Sequence, residues 1–122
     1  MNKRVLITGA RDWTDEKKLY DALLSASLIE SRPILIHGGA VGVDRMAAEQ
    51  WSLWGLEVEA YPASDFPSPR DRNQHMVNLG ADVCIAFATR WASGTGMCAR
   101  MARRAGIGTV DYGVDTRMEA RP

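Results

Sequence analysis

Three stretches of the chain combine glycine with small polar and charged side chains: Thr8-Gly9-Ala10-Arg11-Asp12-Trp13, His37-Gly38-Gly39-Ala40-Val41-Gly42-Val43-Asp44-Arg45, and Ala92-Ser93-Gly94-Thr95-Gly96. Glycine lets a backbone come close to a phosphate, and the N–H groups that open a following helix point at an anion. One such loop is weak evidence, because every strand-to-helix turn uses flexible residues. Three in one short chain carry more. None fits GxGxxG after the first strand, and none fits GxxxxGK[ST], which argues against a nicotinamide cofactor and ordinary ATP hydrolysis. No cofactor is expected.

The charged residues beside these loops each have two readings. Arg11 can fork onto a phosphate or carboxylate, or form a structural pair with Asp12 or Asp44. Asp44 can accept from a ribose hydroxyl, or simply favour a helix start. Arg70, Arg72 and Asn73 follow a proline-rich loop (62–69) and could reach a phosphate from the opposite wall, although a solvated helix start suffices for Arg70. Trp91 and Phe66 could stack on a base or pack on the sheet edge. His37 could act as a base, or donate to a backbone carbonyl, while His75 reads as a helix-surface residue. Ser93 and Thr95 show no Ser–His–Asp arrangement around them.

These loops need elements to hold them. Arg4–Thr8, Ile34–His37, Leu56–Tyr61, Val83–Phe87 and Thr109–Tyr112 read as strands. Helical spacing predicts helices over about 15–29 (N-capped by Thr14, with Leu19, Ala22, Leu23 and Ala26 inward), from Val43 to the stop at Gly55, over Arg70–Leu79, and from about Met97 to Ala105. Strands alternating with helices imply parallel neighbours joined by crossovers. The expected fold is therefore α/β: a single-domain, Rossmann-like open parallel sheet of about five strands, with helices on both faces. Right-handed crossovers favour the order 3-2-1-4-5, which puts a ligand site beyond the carboxyl ends of strands one and four.

The 122 residues suit one domain over 1–122, with a polar tail from about 113. With 46% hydrophobic and 25% charged residues the composition is that of a globular protein. Fifteen Lys+Arg against fifteen Asp+Glu leave no net charge, and this neutrality argues against nucleic acid as a partner. Apolar runs are too short to span a bilayer, Met1–Arg4 leads straight into a strand, and no membrane partner is expected. Cys84 and Cys98, in no CxxC or Cys/His cluster, point to no metal site and to a cytoplasmic, reducing setting. Trp54 or a Met-rich helix could bury in a homo-oligomer.

Together TGARDW (8–13), HGGAVGVDRMA (37–47), the stretch Arg70–Val77, GADVCIAF (80–87) and SGTG (93–96) resemble the YspA-like branch of the SLOG superfamily, from about Arg4 to Asp111. SLOG proteins are Rossmann-like, occur in bacteria and phages, and are related to the LOG cytokinin-activating proteins and the DNA-processing protein DprA. The resemblance implies binding of a nucleotide or nucleotide-derived signal. It places Thr8, Gly9, Arg11, Gly38, Gly39, Gly42, Asp44, Arg72, Asn73, Gly94 and Thr95 around the pocket. Phosphate would lie on the N–H groups of the Gly38–Gly39 and Gly94–Thr95 turns, Arg11 and Arg72 would neutralise it, and Asp12 or Asp44 would hold a ribose hydroxyl.

LOG enzymes carry a PGGxGTxxE motif with a catalytic glutamate. Here that position is Cys98, on an apolar face with Met101, Ala102 and Ala105. The expectation is accordingly a binding module rather than an enzyme. The alternative is nucleotide N-glycosidase (phosphoribohydrolase) activity, which wants a carboxylate near the anomeric carbon: Asp12 or Asp44 first, then Asp65 or Asp71. A third reading is single-stranded DNA binding like DprA, with Arg100, Arg103 and Arg104 as a small basic face.

Overall fold

The computed structural model describes residues 2–29, 32–88 and 93–114; the side chains of residues 93, 94 and 114 lie outside that description. Within it, parallel strands β1 (Arg4–Gly9), β2 (Ile34–His37), β3 (Val58–Ala60), β4 (Val83–Ala88) and β5 (Thr109–Val114) form one sheet in the order β3-β2-β1-β4-β5. Helices α1 (Glu16–Ser27), α2 (Val43–Leu53), α3 (Pro69–Leu79) and α4 (Ser93–Arg104) make the crossovers, with a short 3-10 turn at Ala63–Asp65. This is the α/β order expected from sequence.

Central strands buried on both faces alternate their side chains between two cores. Val5, Ile7, Leu35, Ile85 and Phe87 face α1 and α2, where they meet Leu19, Leu23, Ala47 and Trp51. Leu6, Ile36 and Cys84 face the other way, onto Met76 and Val77 of α3 and Cys98, Met101 and Ala102 of α4. Trp51 is wholly buried, and its indole N–H donates to the Pro33 carbonyl at 3.2 Å. Burial of each such side chain stabilises the fold by about 1.5–3 kcal/mol.

Several boundaries differ from the sequence reading, each for a local reason. Asp15, not Thr14, caps α1: its carboxylate accepts from the Lys18 N–H at 3.1 Å. The Trp13 indole N–H donates to the Asp15 carbonyl at 2.8 Å, which fixes the entry to that helix. Edge strand β3 is shorter than Leu56–Tyr61 because the Leu56 N–H turns back to the Trp51 carbonyl. Helix α4 starts at Ser93, so the glycines expected in a loop form its first turn. Strand β5 runs on to Val114, beyond the expected start of the polar tail, and residues 115–122 lie outside the described residues.

Helix α3 begins as its Ser-Pro-x-Asp sequence dictates. Ser68 Oγ accepts from the Asp71 N–H at 3.1 Å and donates to Asp71 Oδ2 at 2.9 Å, while Pro69 occupies a first-turn position that lacks a helical donor anyway. Among the described residues no helix is long and apolar enough to cross a membrane.

Candidate functional site

Strands β1 and β4 are neighbours whose connections leave on opposite faces, so the sheet's switch point lies at their carboxyl ends. The exit of β1 is gripped from both sides. On one face, Gly9 lies so close to α2 that a Cβ there would sit 2.4 Å from Val43 Cβ, and the Val43 N–H donates to the Ala10 carbonyl at 3.3 Å. Gly42, the cap of α2, has φ +84°, and a Cβ on it would lie 2.5 and 2.6 Å from the carbonyl oxygens of Arg11 and Ala10. On the other face, wholly buried Cys98 of α4 lies beside the Thr8 side chain, which offsets part of the effect of burial on its thiol. The segment after Thr8 therefore emerges between the first turn of α2 and the N-terminal half of α4, on the side where both helices present the positive end of the dipole.

The exit of β2 is organised inward. Asp44 is 5% exposed, and its Oδ2 accepts from the N–H groups of Gly38 at 3.0 Å and Ala40 at 3.3 Å. Burial pushes its carboxyl up to about 6, against the opposing pull of those two N–H groups and of Arg72. Asp44 Oδ1 is buried and has no hydrogen-bond partner among the described residues. The Gly39 N–H donates to His37 Nδ1 at 2.9 Å, so this ring nitrogen is an acceptor, not a donor to a carbonyl. Burial and the neighbouring Arg72 lower the His37 pKa and keep the ring neutral.

Arg72 clamps the same loop. Its guanidinium donates to the Gly38 carbonyl, to the Tyr61 carbonyl at 3.3 Å, and through Nε to Asn73 Oδ1 at 2.8 Å. It fills the space beside Gly38, where a Cβ would lie 2.2 Å from Nη1. Buried Asn73 thus orients Arg72, which ties the exits of β2 and β3 to α3. At Gly38–Gly39, where a phosphate seat was expected, both N–H groups already have internal acceptors, and Gly38 is small to admit an arginine. Gly39, at φ +74°, supplies a turn.

Outward-facing groups gather instead at the β1 exit. Arg11 is exposed, and no ion pair among the described residues holds it, neither with Asp12 nor with Asp44. Asp12 is exposed beside it. Gly94 lies in the first turn of α4 and Thr95 is buried at that turn. Arg100, which the sequence reading kept apart from the site, reaches back along α4, with Nη1 3.1 Å from the position of a Cβ on Gly96. Its spacing of four residues from Gly96 was the available signal.

Other candidates lie elsewhere. Asp71 is committed to the α3 cap, and Asp65 lies exposed in the 3-10 turn. Phe66 and Tyr61 both pack on the His75 ring, at 5.1 and 5.3 Å between centroids. Trp91 lies outside the described residues. Cys98 is wholly buried, and desolvation pushes its thiol up to about 11. It is a core residue. Among the described residues no three His, Cys, Asp or Glu side chains cluster as metal ligands.

The model of the YspA, cpYpsA-related SLOG family matches residues 3–64. The Gene 61 protein of Mycobacterium phage D29 is 37% identical over 125 residues, covering 91% of this chain and 97% of that protein. Among solved structures, DNA processing protein A from Helicobacter pylori, described for its single-stranded DNA binding mode, has a TM-score of 0.65 at 20% identity, over 96% of this chain and 70% of that one. The last match overturns the argument that a neutral chain has no nucleic acid partner, since the same fold serves a protein that binds single-stranded DNA. Net charge averages over the whole surface and hides a local basic face. Helix α4 carries Arg100, Arg103 and Arg104 with no acidic residue, and all three are exposed and without an ion pair among the described residues.

Proposed function

We propose that this chain, which belongs to the YspA, cpYpsA-related SLOG family, is a binding module for a nucleotide or a nucleotide-derived signal, held at the exit of β1. The observation that carries this reading is the emergence of the Thr8–Asp12 segment between the first turn of α2 and the N-terminal half of α4, with Arg11 exposed and without an ion pair among the described residues. Phosphate sits at that exit, facing the orphan N–H groups that every helix start leaves. Arg11 supplies a charge-assisted fork and Arg100 flanks the α4 turn. Arg72 and Asn73 act through the loop they hold. Asp44 closes the β2 loop with one oxygen, and its second oxygen is an acceptor for a ligand donor such as a ribose hydroxyl.

Two observations favour binding over cleavage of an N-glycosidic bond. The position of the LOG glutamate is a buried thiol, and Asp71 is committed to a helix cap.

The test is mass spectrometry of small molecules released from the purified protein, followed by melting curves with the compound found. A nucleotide at near-stoichiometric occupancy is expected, and at about 100 times its Kd it adds roughly 2.7 kcal/mol of stability. The same compound stays intact by chromatography over hours. Free base accumulating catalytically, and stopped by Asp12→Asn or Asp44→Asn with binding retained, overturns the reading in favour of an N-glycosidase.

A further inference from the structure

Four of the eight large apolar side chains left exposed among the described residues belong to α1, its cap and the end of α2 that faces it: Tyr20 (43%), Leu24 (42%), Leu28 (76%) and Leu53 (80%). Tyr20, Leu24 and Leu28 recur every fourth residue, so they stand in a single row along α1 and its cap. Tyr20 also meets the half-buried Trp54 edge-on, 5.6 Å between centroids. It walls a groove of about 280 Å³ between α1 and α2, opposite Met46 and Leu53. Isolated exposed leucines are ordinary, but a contiguous apolar row beside a groove marks an interaction surface.

We propose that this face docks a second copy of the same chain, α1 packing antiparallel to α1 across a two-fold axis at Leu24. A two-fold contact must be self-complementary, and this row is. An axis at Leu24 sets Leu24 against itself and, four residues either way, Tyr20 against Leu28. Leu53, in the groove beside Tyr20, extends each end of the contact.

Charge selects the same face and the same occupant. Lys17 and Asp21 on α1 are paired with each other at 2.8 Å, and two acids balance two lysines along that helix, so the row itself brings no net charge against its copy, and the acids of the groove, Glu16 and Glu49, lie at its edge. The same near-neutrality gives a strongly basic or acidic partner little to recognise. A two-fold contact through α4 would instead oppose Arg100, Arg103 and Arg104 with their own copies. Two parallel helices of this length present a face of about 18 by 20 Å. That falls short of a standard interface of about 800 Å² per partner, so the dimer is weak and depends on concentration.

Sedimentation equilibrium tests this directly. The apparent mass is expected to rise from 13.4 kDa toward twice that value as the protein is concentrated, over a range on the order of 10–100 µM. Leu24→Glu, which brings like charges together at the axis, holds the mass at the monomer value with the dilute-solution melting temperature unchanged. Leu79→Glu, at a comparably exposed leucine on α3 (46%), leaves the association intact. Leu24→Cys forms an intermolecular disulfide under mild oxidation, against a silent background because Cys84 and Cys98 are buried. A wild-type protein that stays monomeric throughout overturns the proposal, as does a dimer insensitive to Leu24→Glu. A dimer whose Leu24→Cys variant does not cross-link overturns the two-fold geometry.

Discussion

At the exit of β2, His37, Asp44 and Arg72 turn inward and satisfy the loop's own backbone groups, whereas at the adjacent exit of β1 the Arg11 guanidinium stands in solvent without an ion pair among the described residues. Both exits are glycine-rich and both precede a helix. The difference lies in what occupies the space that each glycine leaves. Beside Gly38 it is the arginine clamp, and beside Gly9 and Gly42 it is the partner loop and helix. The glycines of both exits serve close packing of protein on protein, and that packing in turn displays Arg11 between the first turn of α2 and the N-terminal half of α4. Glycine content alone thus says that a loop is crowded, without saying by what.

The interlock of the two exits is the place to break this comparison hardest. Gly42 has φ +84° and two backbone carbonyl oxygens within 2.6 Å of a would-be Cβ, neither of them at the end of a flexible side chain. Gly42→Ala is expected to cost about 3–5 kcal/mol, from backbone strain of about 1–3 kcal/mol plus the forced separation of the loops. Gly55 has a similar φ of +77° but open space around it. Gly55→Ala should therefore show the strain alone, on the order of 1 kcal/mol. Urea denaturation of the two variants measures the interlock by difference, and equal costs would mean that the exits do not grip each other.

The inward loop also carries a pH signature that the outward one lacks. Burial raises the Asp44 carboxyl from 3.8 to about 6, so between those values the folded chain holds a proton that the unfolded chain has released. Stability from this group is then full below about pH 4 and is lost as pH rises through 6, by about 3 kcal/mol in all. The stability difference between wild type and Asp44→Asn should shift by that amount between pH 4 and 7, in the direction of a relatively weaker wild type at the higher pH. A difference that stays flat across this window would show that the Asp44 carboxyl is solvated.

Most of the fold was legible because its signals are local and periodic. The alternating burial of the strands, and the spacing of Leu19, Ala22, Leu23 and Ala26, can be read along the chain, and the crossover rule then supplies the strand order. The site's general location followed from the same rule. The roles of individual residues did not, because they depend on partners distant in sequence. Arg72 reaches Gly38 across 34 residues and Tyr61 across 11, and no pattern near Arg72 announces either contact. The tautomer of His37 is set by the Gly39 N–H, a matter of backbone orientation in a turn with positive φ. Arg100, Arg103 and Arg104 were legible as a small basic face, and the whole-chain charge sum was wrongly set above it.

The smallest expected effect on stability is the most informative about function, and it comes from comparing two arginines. Arg72→Ala removes donors to the Gly38 and Tyr61 carbonyls and to Asn73 Oδ1, leaving half-buried acceptors unmet. The expected loss is about 2–3 kcal/mol, since hydrogen bonds to charged groups contribute about 1.5–3 kcal/mol and some carbonyls regain water. Arg11 has no such partner among the described residues, so Arg11→Ala should leave the stability of the unliganded protein within about 0.5 kcal/mol of wild type. Its effect should appear only with ligand: phosphate-bearing compounds lose roughly ten- to a hundredfold in affinity, while the matching nucleosides change little. Calorimetry on a nucleotide–nucleoside pair, beside denaturation of both variants, separates the two roles. If Arg11→Ala destabilises as Arg72→Ala does, the β1 exit is a closed structural loop like its neighbour. If it weakens nucleotide and nucleoside equally, Arg11 does not touch phosphate, and the anion seat must be sought at the α4 turn beside Arg100.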